Sequence, residues 1–262
     1  MTPPAPARLH VLLSSENDFA LVIRRGPTKQ VCTLGWNRAD DTFELGQWLK
    51  GKVDFGSCDL SPDGQHFLYS VVKWSGLPDK RGSYTVLSRA PYLKKLHFWG
   101  SWCMGGGVFL DSERFRLDSP EEPKTFRLPD FAPIETQTPS DKWGFLAGGV
   151  RRFRLARDGW QPQPDEDKRR ERFHKTLDEW TLDLSIFNGQ PHRPDFYELR
   201  HNARDEVVAS GEWNWADFDA PRKRLCLARD GQLWALDLKL GAQEKLIHDF
   251  NAMTFEPIVA PY

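Results

Sequence analysis

Disulfide chemistry has little to work with in this sequence. Four cysteines, Cys32, Cys58, Cys103 and Cys226, stand far apart in 262 residues, with no C-x-x-C pair. Each sits beside apolar or strand-like neighbours, so reduced, buried thiols are expected, not bridges or thiolate metal ligands. An excess of charge of one sign is also missing. Lys and Arg number 36 against 37 Asp and Glu, a net charge of −1. That balance removes the electrostatic case for a nucleic-acid or anionic-membrane partner. No apolar run approaches the roughly 20 residues that span a bilayer. The opening residues, Met1-Thr2-Pro3-Pro4-Ala5-Pro6-Ala7-Arg8, lack the apolar core of a secretory signal, and no N-x-S/T acceptor occurs. The expectation is a cytoplasmic protein of bacterial style.

Signatures of chemistry are missing as well. There is no G-x-S-x-G elbow, no H-E-x-x-H, no Walker A loop and no G-x-G-x-x-G after a strand. The seven histidines (His10, His66, His97, His174, His192, His201 and His248) are scattered without ligand spacing, so neither a metal nor a cofactor is expected.

Aromatic residues are abundant: 11 Trp, 17 Phe and 5 Tyr. They supply the buried area for a large β-rich core. Short segments of alternating pattern dominate, such as Arg8–Leu13, Phe19–Ile23, His66–Val72 and Ser83–Leu87, separated by Gly, Pro, Asp and Asn clusters. That is the pattern of many short antiparallel strands. Internal matches add to it. Arg152-Phe-Arg-Leu-Ala-Arg-Asp-Gly159 recurs as Arg224-Leu-Cys-Leu-Ala-Arg-Asp-Gly231, and Arg114-Phe-Arg-Leu117 is a shorter copy. Trp180-Thr-Leu-Asp-Leu184 matches Trp234-Ala-Leu-Asp-Leu238, and Phe131-Ala-Pro-Ile134 matches Phe255-Glu-Pro-Ile258. With residues 161–179 set aside as an insertion, each repeat has the size of a four-stranded propeller blade.

The expected fold is therefore all-β: a single domain over residues 1–262, a five-bladed β-propeller, with six blades as the alternative. Blades are placed near 8–52, 53–101, 102–130, 131–204 and 205–254. Residues Phe255 to Pro261 are expected to supply the first strand of blade one and close the ring, hiding strand edges. The insertion at 161–179, within the fourth blade, holds five basic and six acidic residues. Glu166 to Arg170 and Glu171 to Lys175 stand at i,i+4 spacing, so it reads as a surface loop containing a short helix.

Asp59-Leu60-Ser61-Pro62-Asp63-Gly64-Gln65-His66-Phe67-Leu68-Tyr69-Ser70 resembles the S-P-D-G repeat of TolB-type β-propellers. Asp230-Gly-Gln-Leu-Trp-Ala-Leu-Asp237 resembles a later strand pair of such repeats. The clear matches cover about two blades of five. The resemblance implies the fold and a capacity for binding, and fold by itself does not carry function.

Two functions compete at this stage. The first is a non-enzymatic protein-binding propeller, such as an inhibitor or immunity-type protein that neutralises a bacterial toxin. The second is a carbohydrate-binding or glycoside-hydrolysing propeller with a central pocket, whose acids would come from Asp54, Asp59, Asp141 and Asp217. Asp59 and Asp217 occupy equivalent repeat positions, which favours turn-capping over catalysis. Trp213 and Trp215, alternating around Asn214, read as two residues on one face of a strand, there to pack between blades. Trp99 and Trp102 bracket a blade junction. The partner, another protein, is expected at the insertion, through Arg169, Arg170, Arg172 and Phe173, with Trp160 at the base of the loop.

Overall fold

The computed structural model describes residues 5–26, 29–72, 83–101, 105–118, 125–128, 132–134, 149–188 and 193–262. Among these residues the chain is all-β apart from one α-helix, α1 (Gly149–Arg157), and single 3-10 turns. The strands form five antiparallel sheets, and in each of them sequence neighbours are also spatial neighbours. The first sheet holds β1 (Arg8–Leu13), β2 (Phe19–Arg25), β3 (Gln30–Asn37) and β4 (Thr42–Lys50). The second holds β5 (Asp59–Leu60), β6 (His66–Val72), β7 (Ser83–Arg89) and β8 (Lys95–Ser101). The third is short: β9 (Gly107–Phe109), β10 (Arg114–Leu117), β11 (Thr125–Arg127) and β12 (Ala132–Ile134). The fourth has five strands: β13 (Gln161–Gln163), β14 (Arg170–Leu177), β15 (Trp180–Phe187), β16 (Asp195–His201) and β17 (Glu206–Trp213). The fifth holds β18 (Trp215–Asp219), β19 (Arg224–Arg229), β20 (Gln232–Asp237) and β21 (Lys245–Asp249).

Tight turns make these meanders. Asp41, Asp178, Asp205 and Asp230 take left-handed φ values of 58°, 51°, 49° and 52° at hairpin corners. Asp tolerates that region because its short side chain bonds locally. In the Ser61-Pro62-Asp63-Gly64 turn, the Gly64 amide donates to the Ser61 carbonyl at 2.8 Å, closing the turn expected from sequence. Gly64 has φ +72°, and a Cβ there would lie 2.9 Å from the Phe19 ring, so glycine is required twice over.

The chain divides into two compact units, Val11–Arg154 with Thr254–Tyr262, and Met1–His10 with Leu155–Met253. In the former, Leu21, Ile23 and Val31 pack with Leu60, Phe67 and Val71. A second cluster joins Leu68 and Leu87 to Phe109, Phe115 and Leu117, with the Trp99 ring 5.7 Å from Phe115 and 5.4 Å from Phe126. In the other unit, Phe173, Leu182, Leu184 and Leu199 of the fourth sheet meet Phe218 and Leu227 of the fifth.

Several expectations change. Residues 152–157 lie in α1, whereas their sequence match 224–229 is the strand β19. The buried positions of α1 are Val150 and Arg154, an i,i+4 pair, and the apolar Phe153 and Leu155 are not among them. The 161–179 segment is not a loop with a helix: it supplies β13 and the whole of β14, which pairs on both sides. Since the copy used to infer an insertion is helical, that inference loses its anchor. The fourth sheet runs through β17 to Trp213, so the boundary expected at residue 204 moves to Asn214. Trp213 and Trp215 consequently belong to two different sheets. Residues 254–262 contain no strand, so the expected closing strand is absent there, and β1 begins the first sheet without it. Two prolines, Pro257 and Pro261, each lack the N–H that a ladder needs. Cys32, Cys58 and Cys226 are buried thiols outside any disulfide, as expected. Cys103, Trp102, Phe131 and Asp141 lie outside the described residues.

Candidate interaction surface

Residues 164–169 form the tip of the hairpin between β13 and β14, and their sequence, Pro-Asp-Glu-Asp-Lys-Arg, is almost entirely charged. Two aspartates shape it. The Asp167 amide donates to Asp165 Oδ1 and the Arg169 amide to Asp167 Oδ1, each at 2.9 Å, which gives consecutive Asx turns. Arg170 then grips Asp165 through Nε at 2.6 Å and Nη2 at 3.2 Å. This guanidinium holds the Asp165 carboxyl below the usual carboxylate range. The Asn188 amide donates to the Arg169 carbonyl at 2.7 Å, tying the tip to the end of β15. Glu166, Lys168 and Arg169 are left exposed on a backbone that is fixed.

The expected partner-binding residues separate into two groups. Arg169 is exposed at the tip, Arg170 is paired with Asp165, and Arg172 is half-buried opposite Ser185 and Gln163. Phe173 and Trp160 are core residues, 6% and 2% exposed, packed among Leu182, Leu184 and Tyr197. Sequence reading overlooked Arg193, at the same end of the sheet, whose guanidinium lies 3.6 Å from the Phe187 ring centre and 3.1 Å from Glu212. No local spacing marks that pair. The Asx turns were visible in the alternating Asp165-x-Asp167.

Among the described residues, the carboxylates considered as sugar-processing acids are engaged in local structural bonds. Asp59, fully buried on β5, accepts the Leu60 amide at 2.9 Å and the Phe109 amide at 2.7 Å. Asp217 on β18 accepts the Phe218 amide at 2.7 Å, the same bond to the following residue. It also pairs with Lys175 Nζ at 2.7 Å and accepts from Trp160 Nε1 at 3.4 Å. The equivalence of Asp59 and Asp217 read from the repeat is real, but the two lie in first strands rather than capping turns. Asp54 caps the 3-10 turn at 55–57 by accepting the Gly56 amide at 3.3 Å, and it also accepts the Ser57 hydroxyl at 2.7 Å.

No protein-family model matches the chain, and no curated protein does. Solved structures are similar at low identity. An uncharacterized protein from Listeria monocytogenes EGD-e is 12% identical, with 99% of this chain and 87% of that one covered and a TM-score of 0.38. The β-propeller domain of the Trilobed protease from Pyrococcus furiosus is 10% identical, with 95% and 98% covered and a TM-score of 0.38. The AtxE2 isopeptidase, in its apo form, is 11% identical over 96% of this chain, with a TM-score of 0.45. This chain spans 53% of that one. At these TM-scores the likenesses carry no argument, and the fold rests on the sheet topology.

Proposed function

We propose that the five sheets are the blades of one β-propeller and that the protein is a scaffold binding another protein through the 164–169 tip. The observation that carries this is the tip itself: exposed charges of both signs on a backbone locked by two Asx turns and the Asp165–Arg170 pair. A loop fixed before binding loses little freedom on binding, which favours affinity. Arg172 and Arg193 at the same end extend the surface, and Arg is favoured interface chemistry. Neutralising a bacterial toxin is one role such a scaffold would serve. The sugar-processing alternative is not favoured, because Asp59 and Asp217 already satisfy backbone amides and Lys175.

The test begins by identifying a partner by affinity purification and titrating it against the wild-type chain. The Lys168→Ala/Arg169→Ala variant should then raise Kd at least tenfold, about 1.4 kcal/mol, with Tm unchanged. An unaltered Kd would remove the tip from the interface.

A further inference from the structure

Residues 254–262 lie against their own unit as an extended segment read by side chains, not by a strand ladder. The reading falls on alternate residues. The Tyr262 hydroxyl accepts the Arg89 amide at 3.0 Å and donates to the Lys94 carbonyl at 2.8 Å. Its ring has the Arg89 guanidinium and the Lys94 ammonium each 5.1 Å from its centre, and the Tyr92 ring meets it at 73°. Two residues earlier, Ala260 is 5% exposed, so a small side chain is wanted there. Two residues earlier again, the Ile258 carbonyl accepts Gln47 Nε2 at 2.8 Å. The Oε1 of the same Gln47 accepts the Leu93 and Lys94 amides, both at 2.9 Å, which fixes the amide's orientation. Phe255 touches the Trp48 ring at 6.1 Å while remaining 61% exposed, and Val259 is 89% exposed.

Recognition at every second residue is how an extended peptide is read. A phenol held by one donor and one acceptor between two cations is specific for tyrosine over phenylalanine. A segment held by side chains and no ladder bonds can open locally, without global unfolding. We infer that the surface made by Gln47, Arg89, Tyr92 and Lys94 is a binding site for extended peptides of pattern small–x–Tyr, occupied in cis by residues 258–262. A partner bearing such a segment binds by displacing them. This inference does not rest on the 164–169 tip, and the two readings stand or fall independently.

The test uses the full-length chain carrying Ala260→Arg, whose new side chain cannot seat and therefore expels the segment. A labelled peptide of sequence Thr-Phe-Glu-Pro-Ile-Val-Ala-Pro-Tyr should bind this variant saturably at one site. Replacing the peptide's tyrosine with phenylalanine should weaken binding at least fivefold, and replacing it with alanine should weaken it further. Equal binding of the three peptides, or none to a folded Ala260→Arg chain, would overturn the site. Hydrogen exchange on the wild-type chain decides the matter if that variant does not fold. Amides of 254–262 should exchange at least tenfold faster than those of β7, and exchange only with global unfolding would overturn the inference.

Discussion

Asp217 carries a charge where its side chain is only 11% exposed, and Lys175, 21% exposed, answers it at 2.7 Å. The carboxylate cannot leave, because the Phe218 amide and the Trp160 indole also bond to it. Removing only the cation strands the anion among apolar neighbours such as Trp160 and Phe218, and that costs more than the pair itself contributes. Lys175→Met should therefore lose about 3 kcal/mol of stability, lowering Tm by roughly 6–12 °C. Adding Asp217→Asn should restore part of the loss, because the neutral amide leaves no charge buried and keeps an oxygen for the Phe218 N–H, while its NH2 no longer accepts from the Trp160 indole. Thermal unfolding of the two singles and the double variant measures this, and additive losses would mean the two residues act separately. The repeat revealed that Asp59 and Asp217 are equivalent, yet it could not show which bonds they make. Their partners, Phe109 and Lys175, sit in other sheets, 50 and 42 residues away.

Strand β14 shows how a segment misleads a reader of one dimension. Glu171 and Lys175, or Phe173 and Leu177, stand four apart and so share a face of a helix. Four is also a multiple of two, so the same pairs share a face of a strand. In the structure Phe173, Lys175 and Leu177 do share one face, with Phe173 packed in the core. Arg172, His174 and Thr176 take the other. The converse error occurs at 152–157, where alternating Phe153 and Leu155 suggest a strand. The helix turns Arg154 inward instead, and its Nη1 donates to the carbonyls of Phe55 and Cys58. A buried arginine satisfying backbone carbonyls leaves no apolar period to detect. The runs of β1, β2, β6 and β7, by contrast, were legible because they are short and rich in β-branched and apolar residues, although the structure buries four or five successive residues of each instead of alternate ones. The β14 assignment has a direct consequence. Phe173→Ala should cost about 3–5 kcal/mol, whereas Arg169→Ala at the exposed tip should stay within about 0.5 kcal/mol. Denaturant titration separates the two. A mild effect at Phe173 would return this segment to the surface.

For the whole molecule, the regular spacing of short strands made the division into sheets legible, while the manner of closure was not. The match of Phe255-Glu-Pro-Ile258 to Phe131-Ala-Pro-Ile134 carried that expectation. Ala132–Ile134 is a strand and 255–258 is not, because four residues of likeness say nothing about the available edge. What remains to be measured is whether the two compact units melt as one. Strand β1 spans the division, with Arg8–His10 in one unit and Val11–Leu13 in the other, so the backbone itself joins them within a hydrogen-bonded element. Three buried thiols report on that coupling: Cys32 and Cys58 in one unit, and Cys226 in the other. Burial pushes the Cys32 and Cys58 thiols up to about 12, so at pH 8 neither has thiolate to react until its surroundings open. Alkylation across a denaturant series, read by mass spectrometry at each cysteine, should therefore give one common midpoint, with no labelling of the three in native conditions. Cys226 reacting at a clearly lower denaturant concentration than Cys32 and Cys58 would instead mean two independently folding domains, and the single propeller would have to be given up.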